Sequence, residues 1–445
     1  MLAGVTSGVG KTSITCAIIY ALQKRGFSVQ PFKVGPDYID PIYLSSISKT
    51  STFNLDVWLM GKEQLLKSFI GNSKSDISVI EGVMGFYDGF KGGSSFASTY
   101  HVANITESPV LLVLDASKAA RSVAAIALGF QKFHKSSRIS GIILNKIGSH
   151  KHEQLCRDAL EKIKIPIVGV IPKDSNLVLE SRHLGLVSTQ NKHVIQKQIQ
   201  SVSKTIANFL DIDKIIDITK NLPSLHKTSK QTYKKPQTTI AVALDNSFNF
   251  YYYDNLESLR RHGAHLKFFS PVLDKQIPTC DGLYIGGGFP EVLGANLEKN
   301  SSMRKSIKKL SEENAPIYAE CGGLMYLTKS INYGNKKYRM VGLFDAETSM
   351  THKMKLNYTR GKILSSNIIS DKPHMLHGHE FHYSELSSIS SDSKFAYKLD
   401  YGIGIQNNHD GLIQHNTLAS YGHLYFDSSD YSRVFVKSCM DNSRR

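Results

Sequence analysis

Cysteine and tryptophan are scarce in this sequence. Its 445 residues include one tryptophan and five cysteines, which stand far apart at positions 16, 156, 280, 321 and 439. No Cys-x-x-Cys pair and no Cys/His cluster with metal-ligand spacing is present. We therefore predict neither a disulfide framework nor a structural zinc site, and each thiol is by default a small buried hydrophobe.

Long apolar runs are also missing. No stretch approaches the roughly 20 apolar residues that cross a bilayer. The first residues lead directly into a glycine-rich motif, without the charged and apolar regions of a signal peptide. We therefore expect a cytoplasmic protein with no membrane partner. Only three residues precede Gly4, so either the first strand is very short or the true start lies upstream.

Acidic residues are fewer than basic ones. The chain has 54 Lys and Arg against 38 Asp and Glu, which gives a net charge of +16. Such a surface can attract nucleic acid or a polyanionic small molecule. The basic residues are scattered, and the densest cluster (Lys227, Lys230, Lys234 and Lys235) lies in a segment of linker composition. We therefore predict small-molecule partners and no nucleic acid.

Apolar runs alternate with helical segments in two halves of the chain. Runs at 79–80, 110–114, 142–144 and 165–171 alternate with helical stretches such as 13–25, which predicts a doubly wound, mostly parallel α/β sheet. A second alternation has runs at 240–244, 266–269, 283–285 and 317–319. The Pro-, Ser-, Thr- and Lys-containing stretch 221–237 is typical of a linker. We predict domains at 1–190 and 238–445, joined by a helical segment and linker over 191–237.

A glycine-rich loop occupies residues 4–12, Gly-Val-Thr-Ser-Gly-Val-Gly-Lys-Thr. Such a turn, running into a helix, presents backbone N–H groups to phosphates. Gly8 and Gly10 would shape the loop, Lys11 would reach the outer phosphates, and the Thr12 hydroxyl would hold Mg²⁺. The first glycine stands one position earlier than in the strict Walker motif, and this longer loop resembles the dethiobiotin-synthetase branch of P-loop enzymes.

Two further segments carry acids beside glycines. They read KVGPDYIDP at 33–41 and EGVMGFYDG at 81–89, the second directly after a predicted strand. Acids at the carboxyl ends of strands in a doubly wound sheet lie where ligands bind, and Mg²⁺ held with ATP takes one or two carboxylates. We assign Asp37 and Glu81 to Mg²⁺, add Tyr38 and Asp88 to the ATP site, and keep Asp40 as a further candidate. The alternative is that each acid only marks a turn.

A cysteine stands at a sharp turn in the second half. Residues 316–323 read PIYAECGG and are followed by LMYL, which predicts a strand, a turn and a helix with Cys321 at the turn, a nucleophile elbow. The helix N-terminus is expected to lower the pKa of this thiol. The glycines at 286–288 follow another predicted strand, and their N–H groups could form an oxyanion hole.

A cysteine nucleophile needs a base. His423, in the segment ASYGHLYF, is our candidate, and His415 is its rival. Four further histidines (His374, His377, His379 and His382) fall in a stretch that reads as a loop and does not match a zinc site. We keep them as candidates for facing a substrate.

The ordered motifs together resemble one family, the cobyrinic acid a,c-diamide synthases. They are GVTSGVGKT, FKVGPDYIDP, EGVMGFYDG, SRHLGL at 181–186, NFYYYDNLESL at 249–259, GGGFPE, YAECGG, GHEFHYS at 378–384 and ASYGH. The resemblance covers nearly the whole chain. It implies a synthetase domain fused to a class I glutamine amidotransferase-like α/β domain.

The resemblance also implies a reaction. Cys321, with its nucleophilicity raised by His423, would release ammonia from L-glutamine, and the ammonia would pass internally to the first domain. There ATP with Mg²⁺ would phosphorylate the a and c acetate carboxylates of cobyrinic acid, and ammonia would displace the phosphate. Many class I amidotransferases have a glutamate two residues after the histidine, where this chain has Tyr425. The implied site is therefore a Cys–His dyad, and the group that orients His423 stays open.

Several alternatives remain at this point. The same chemistry could act on nickel-sirohydrochlorin or hydrogenobyrinic acid, whereas the motif context fits cobyric acid synthase less well. A different class is a regulatory P-loop ATPase with an inert appended domain. The sequence leaves open whether the chain forms a homo-oligomer.

Overall fold

The computed structural model describes residues 1–177, 179, 192–220, 222 and 232–444. The described residues divide into two compact units, one ending with residue 222 and the other starting at residue 232. The SRHLGL motif and most of the predicted linker lie outside the described residues. Within the part of the chain that is described, no helix is both long enough and apolar enough to span a membrane.

The first unit is built on a parallel sheet. Among its described residues the strands are β1 (Leu2–Gly4), β2 (Val29–Val34), β3 (Phe53–Leu55), β4 (Ile77–Glu81), β5 (Val110–Asp115), β6 (Ile139–Ile147) and β7 (Ile167–Pro172). Their order is β3-β2-β4-β1-β5-β6-β7, with parallel pairing throughout. The predicted doubly wound sheet is confirmed. β1 is only three residues long, yet it is fully buried between β4 and β5 and feeds the glycine-rich loop directly.

Six helices among the described residues lie between these strands in the chain, and two more follow the last strand. They are α1 (Lys11–Lys24), α2 (Asp40–Ser48), α3 (Val57–Asn72), α4 (Thr99–Ile105), α5 (Ser122–Phe133), α6 (His150–Leu160), α7 (Lys192–Ala207) and α8 (Ile212–Thr219). The chain leaves α1 through Gly26, whose φ of 89° suits a residue without a Cβ. Ile199 and Val202 of α7 share an apolar core with Ile14 and Ile18 of α1. The helical part of the predicted connecting segment is therefore packed on the first unit.

The second unit contains a mixed sheet. Its strands among the described residues are β8 (Thr238–Ala243), β9 (Ala264–Phe269), β10 (Gly282–Ile285), β11 (Ile317–Glu320), β12 (Ser330–Tyr333), β13 (Lys336–Arg339), β14 (Glu347–Ile363), β15 (Met375–Ser387), β16 (Lys394–Tyr401), β17 (His409–Gln414), β18 (Thr417–Ser420) and β19 (His423–Leu424). The helices are α9 (Tyr253–Arg261), α10 (Gly294–Lys299), α11 (Ser301–Glu312), α12 (Gly322–Leu327) and α13 (Tyr431–Ser443). Strands β9, β8, β10, β11 and β18 are parallel neighbours. Beyond β18 the sheet continues with antiparallel pairing through β17, β16 and β14, and β12 then pairs with β14 in parallel.

The histidine-rich stretch is a strand rather than the predicted loop. Residues 375–387 form β15, which pairs with both β14 and β19. His379 and His382 are buried in it, and so is Glu380, which accepts hydrogen bonds from the N–H groups of Ile403 and Gly404. Because the inward-facing side chains are polar, the alternation that marks a strand was hidden in the sequence.

Candidate active sites

The glycine-rich loop of the first unit has the backbone of a phosphate-binding turn. Gly8 and Gly10 have φ values of 75° and 93°, in the left-handed region that favours glycine. A Cβ on Gly10 would lie 2.5 Å from Nδ2 of Asn145, which donates to the Val9 carbonyl at 2.8 Å. The turn is therefore held by β6 while it runs from β1 into α1.

Lys11 folds back over this loop. Its Nζ donates to the Met84 carbonyl at 2.7 Å and to the Thr6 carbonyl at 3.3 Å. Burial, followed by the nearby charge of Lys33, lowers the pKa of Lys11 to about 8. Asp88 shapes the neighbouring turn, because its Oδ2 accepts the Gly85 N–H at 2.9 Å. The predicted ATP-binding role of Asp88 stays a prediction.

A buried cluster of charges lies beside the loop. The Thr12 hydroxyl donates to Oε1 of Glu81 at 2.8 Å, and Nζ of Lys33 donates to the same oxygen at 3.0 Å. Lys33 is also 2.6 Å from Oδ2 of Asp40. Burial raises the pKa of Glu81 to about 7, against the opposing effect of Lys33. For Lys33, burial lowers the pKa, but the carboxylates of Asp40 and Glu81 outweigh it, and the net pKa is raised.

Asp37 has a different setting from Asp40. Its Oδ1 accepts the N–H groups of Ile39 at 2.7 Å and Asp40 at 3.2 Å, while its Oδ2 is 4.0 Å from Lys33. Burial, followed by the charge of Asp40, raises the pKa of Asp37 to about 6. Asp37 thus closes the turn that starts α2. Its assignment to Mg²⁺ stays a prediction, and so does an ATP contact for the buried Tyr38.

The residues beside the loop fit a magnesium ion that arrives with ATP. In the described part of the chain no cluster of three or more His, Cys, Asp or Glu could hold a metal ion by itself. The Thr12 hydroxyl and the Glu81 carboxylate are nevertheless adjacent, and Oε2 of Glu81 is buried with no hydrogen-bond partner among the described residues. Mg²⁺ typically takes one or two such protein ligands and completes its shell with phosphate oxygens and water.

Cys321 of the second unit stands at a strained turn. It lies between β11 and α12 with φ 49° and ψ −102°, a conformation that non-glycine residues rarely adopt. Its N–H donates to the Ser420 carbonyl at 2.7 Å, and its thiol donates to the Phe381 carbonyl at 3.4 Å. A Cβ on Gly323 would lie 2.3 Å from the Ile285 carbonyl oxygen, so the turn requires glycine there. This is the predicted strand, turn and helix.

The pKa of the thiol differs from the expectation. The helix N-terminus was expected to lower it, but burial raises the pKa of Cys321 well above the ordinary value, and the nearby Glu291 carboxylate adds to the rise. Desolvation of a fully buried thiolate outweighs the favourable field of a helix that is only six residues long. The thiol is therefore protonated at neutral pH, and its reaction needs a base.

His423 lies at the same sheet edge as Cys321. It follows β18, whose Ser420 pairs in parallel with Glu320 at the end of β11. Its Nδ1 is 3.4 Å from Oε2 of Glu320, and the ring of His379 stacks on it with centroids 5.0 Å apart. His415 precedes Thr417, which pairs with Ile317 at the opposite end of β11. The geometry favours His423 as the base.

The glycine turn after β10 flanks both residues. The N–H of Gly286 donates to the Tyr251 hydroxyl at 2.8 Å, and the N–H of Gly287 donates to the Phe250 carbonyl at 3.3 Å. No described residue accepts the N–H of Gly288, and this nitrogen is 3.0 Å from the position of a Cβ on Gly322. Of the three glycines proposed for an oxyanion hole, Gly288 is therefore the one whose N–H is available.

Replacement of Gly287 by alanine tests this arrangement. The new Cβ would lie 2.7 Å from Cε1 of His423, so the imidazole must move. We expect glutamine hydrolysis to fall by about 100-fold, since a misplaced base costs that much, while synthesis from free ammonia is unchanged. Gly92→Ala is the control, because no atom lies within 4 Å of its added Cβ. Normal glutamine hydrolysis by Gly287→Ala would show that the turn does not constrain the base.

Two residues of these sites were missed from the sequence, and the position of a third, His379, was not predicted. Lys33 is a buried lysine in β2, Glu320 is an acid that ends the apolar strand before Cys321, and His379 lies in β15. For Lys33 and Glu320 the sequence did contain a signal, namely a charged residue next to apolar residues. Charged side chains are rarely buried without a partner, so each indicated a paired charge. His379 was kept as a candidate for facing a substrate, but nothing in the sequence indicated that its ring stacks on His423.

Family models match both units. Residues 1–187 match the CobQ/CobB/MinD/ParA nucleotide binding domain, and residues 239–431 match the CobB/CobQ-like glutamine amidotransferase domain. A phosphate loop in one unit and a cysteine elbow with a histidine in the other define the class. The chain is a glutamine-hydrolysing ligase that forms amide bonds.

Relatives that align along the whole chain show to which family of these ligases the protein belongs. The chain is 40% identical to the cobyrinate a,c-diamide synthase of Dehalococcoides mccartyi, over 98% of this chain and 97% of that protein. It is 40% identical to the enzyme of the same name from Caldanaerobacter subterraneus, over 100% and 99%. The one from Sulfurisphaera tokodaii is 41% identical, over 95% and 96%. The chain belongs to the cobyrinate a,c-diamide synthase family, which confirms the resemblance seen in its motifs.

Proposed function

We propose that this protein converts the a and c acetate carboxylates of cobyrinic acid to amides, with ammonia from L-glutamine and with ATP, as a step of cobalamin biosynthesis. The observation that carries the proposal is the identity of about 40% to relatives of that name along the whole chain. Two sites with the residues for the two half reactions, one in each unit, support it further.

The glutamine half reaction uses the elbow of the second unit. The Cys321 thiol passes its proton to His423 while its sulfur attacks the glutamine carboxamide carbon. The tetrahedral oxygen is received by the Gly288 N–H. His423 then returns the proton to the leaving nitrogen, the C–N bond breaks and ammonia is released. Water, deprotonated by His423, hydrolyses the thioester to glutamate and restores the thiol.

The amide-forming half reaction uses the phosphate loop of the first unit. An acetate carboxylate attacks the γ-phosphorus of ATP, which gives an acyl phosphate and ADP. Ammonia then attacks the acyl carbon, phosphate leaves and the amide remains. Lys11 would bind the outer phosphates, and Thr12 and Glu81 would hold Mg²⁺, which neutralises charge on the phosphates during the transfer. The net charge of +16 suits a substrate with many carboxylates.

The choice of macrocycle can be tested directly. The purified protein is incubated with ATP, Mg²⁺ and glutamine together with cobyrinic acid, nickel-sirohydrochlorin or hydrogenobyrinic acid, and products are identified by mass spectrometry. We expect the a,c-diamide of cobyrinic acid to form with kcat/KM at least about tenfold above either alternative, since specificity is a difference in transition-state binding. Turnover of nickel-sirohydrochlorin without turnover of cobyrinic acid would overturn the proposal. Hydroxylamine in place of ammonia should trap the acyl phosphate as a hydroxamate.

A further inference from the structure

Glu320 is a buried acid directly before the nucleophile. It ends β11, and it is only 1% exposed. A carboxylate is costly to bury unless hydrogen-bond donors replace its water. Its neighbours in β11 are apolar or aromatic, so the strand itself gives no reason for an acid at this position.

Four donors surround this carboxylate. Oε1 accepts the Tyr318 hydroxyl at 2.9 Å and the Leu424 N–H at 3.1 Å. Oε2 accepts the Tyr284 hydroxyl at 2.9 Å and Nδ1 of His423 at 3.4 Å. The donors come from three strands, β10, β11 and β19, so the carboxylate is held in one orientation.

The contact with Oε2 decides the tautomer of His423. An ionised carboxylate only accepts hydrogen bonds, so the imidazole must carry its hydrogen on Nδ1. The lone pair is then on Nε2, which lies 3.3 Å from the position of a Cβ on Gly287 and so faces the glycine turn beside Cys321. This is the tautomer that can take the thiol proton.

The other groups that face His423 do not compete for this role. The stacked His379 has its pKa lowered well below the ordinary value by burial and then by His423, so it stays neutral. Its Nδ1 lies 3.0 Å from the Tyr252 hydroxyl. The nearby Glu291 carboxylate raises the pKa of the Cys321 thiol. Tyr425 stands where many class I amidotransferases have a glutamate. Among the described contacts of His423, the carboxylate that meets the imidazole is that of Glu320.

We propose that Glu320 is the positioning residue of the glutaminase site, a third member that orients His423 and stabilises its protonated form after the thiol proton is transferred. The inference rests on the proposed glutamine hydrolysis by Cys321. No additional reactant is involved, since the proton moves from Sγ to Nε2 and then to the leaving nitrogen, and none is transferred to the carboxylate.

The variant Glu320→Gln tests this inference, because it keeps the size of the side chain and removes its charge. We expect kcat for glutamine hydrolysis to fall by about 100-fold or more with KM changed by less than about threefold, since the base is impaired rather than substrate binding. Synthesis from free ammonia should be unchanged. Glu320→Asp, which keeps the charge on a shorter side chain, should recover part of the lost kcat.

Glu380→Gln is the matched control. It also neutralises a fully buried acid of the second unit, one that is bonded to Asn357 and to two backbone N–H groups. We expect it to leave kcat for glutamine hydrolysis within about threefold of the wild type. Equal losses in Glu320→Gln and Glu380→Gln, or a Glu320→Gln enzyme as active as the wild type, would overturn the role of Glu320. A wild-type protein without glutamine hydrolysis would instead overturn the proposed function.

A measurement on the unmodified protein covers the case in which Glu320→Gln does not fold. The ¹⁵N shifts of the imidazole of His423, assigned by comparison with His423→Gln, report which ring nitrogen carries the hydrogen. We expect the Nδ1–H tautomer at neutral pH. Observation of the Nε2–H tautomer would contradict the contact with Glu320 and overturn the inference.

Discussion

Replacing Cys321 by serine is expected to abolish glutamine-dependent amide synthesis, by at least about 10³-fold, while synthesis from free ammonia continues at the wild-type rate. The buried thiol is protonated at neutral pH, because burial raises its pKa. In the proposed reaction, its sulfur becomes a strong nucleophile once His423 takes the proton. A serine hydroxyl is far less acidic, so the same base cannot activate it. The two nitrogen sources are compared by following amide formation and glutamate release.

The control for this variant is Cys280→Ser. Cys280 is a half-buried thiol of the same unit that makes no contact with Cys321 or His423 among the described hydrogen bonds. Both variants replace a sulfur atom by oxygen. A loss of activity that occurs in Cys321→Ser and not in Cys280→Ser therefore identifies Cys321 as the nucleophile. Glutamine-dependent synthesis by Cys321→Ser at a rate near the wild type would remove the second unit from the proposed reaction. Loss of the ammonia-dependent reaction as well would indicate misfolding.

Replacing Glu81 by glutamine is expected to abolish synthesis from both nitrogen sources, by about 10³-fold, and to leave glutamine hydrolysis within about threefold of the wild type. Oε1 of Glu81 joins the Thr12 hydroxyl to Lys33, and its Oε2, which has no hydrogen-bond partner among the described residues, is the oxygen that we propose as a magnesium ligand. The neutral amide removes the charge that this ion needs and leaves Lys33 with Asp40 as its close carboxylate. Hydroxamate formation and ADP release measure the loss.

Asp76→Asn is the matched control for this second variant. Asp76 directly precedes β4, so it lies at the amino end of the strand whose carboxyl end is Glu81. It bonds the N–H and the hydroxyl of Ser28 at the surface. Asp76→Asn removes one negative charge, as Glu81→Gln does, but at the amino end of β4, and we expect it to leave synthesis unchanged. An active Glu81→Gln enzyme would contradict the assignment of the nucleotide site to this edge of the sheet.

Buried strands that are continuous apolar runs could be predicted from the sequence, whereas strands with polar residues or proline were missed. The runs that became β4 to β7 and β8 to β11 were recognised because both faces of a parallel strand are covered and only apolar side chains fill them. Strand β2 was missed because Pro31 and Lys33 interrupt its apolar pattern. The antiparallel strands β14 to β17 were missed because their side chains are mostly polar, and the histidines of β15 were read as a loop.

The chemistry of each site could be predicted where its residues form one contiguous motif in the sequence. The phosphate loop at 4–12 and the elbow around Cys321 were recognised because a turn, its glycines and its reactive group follow each other along the chain. The base was harder to predict, because His415 and His423 both follow short apolar stretches. The parallel pairing of β18 with β11 places His423 at the end of β11 that leads to Cys321, and it places His415 at the other end.

The sequence by itself determined the class of the protein and its family and indicated its two candidate sites, because these depend on residues that are close neighbours in the chain or on the order of motifs. The tertiary structure alone decided which charges meet. Lys33 and Glu81 are 48 positions apart, and Glu320 and His423 are 103 positions apart. It also decided the pKa of Cys321, which burial raises although the local sequence favoured a lower value. Contacts between distant residues and the cost of burial arise only when strands pair and the core closes.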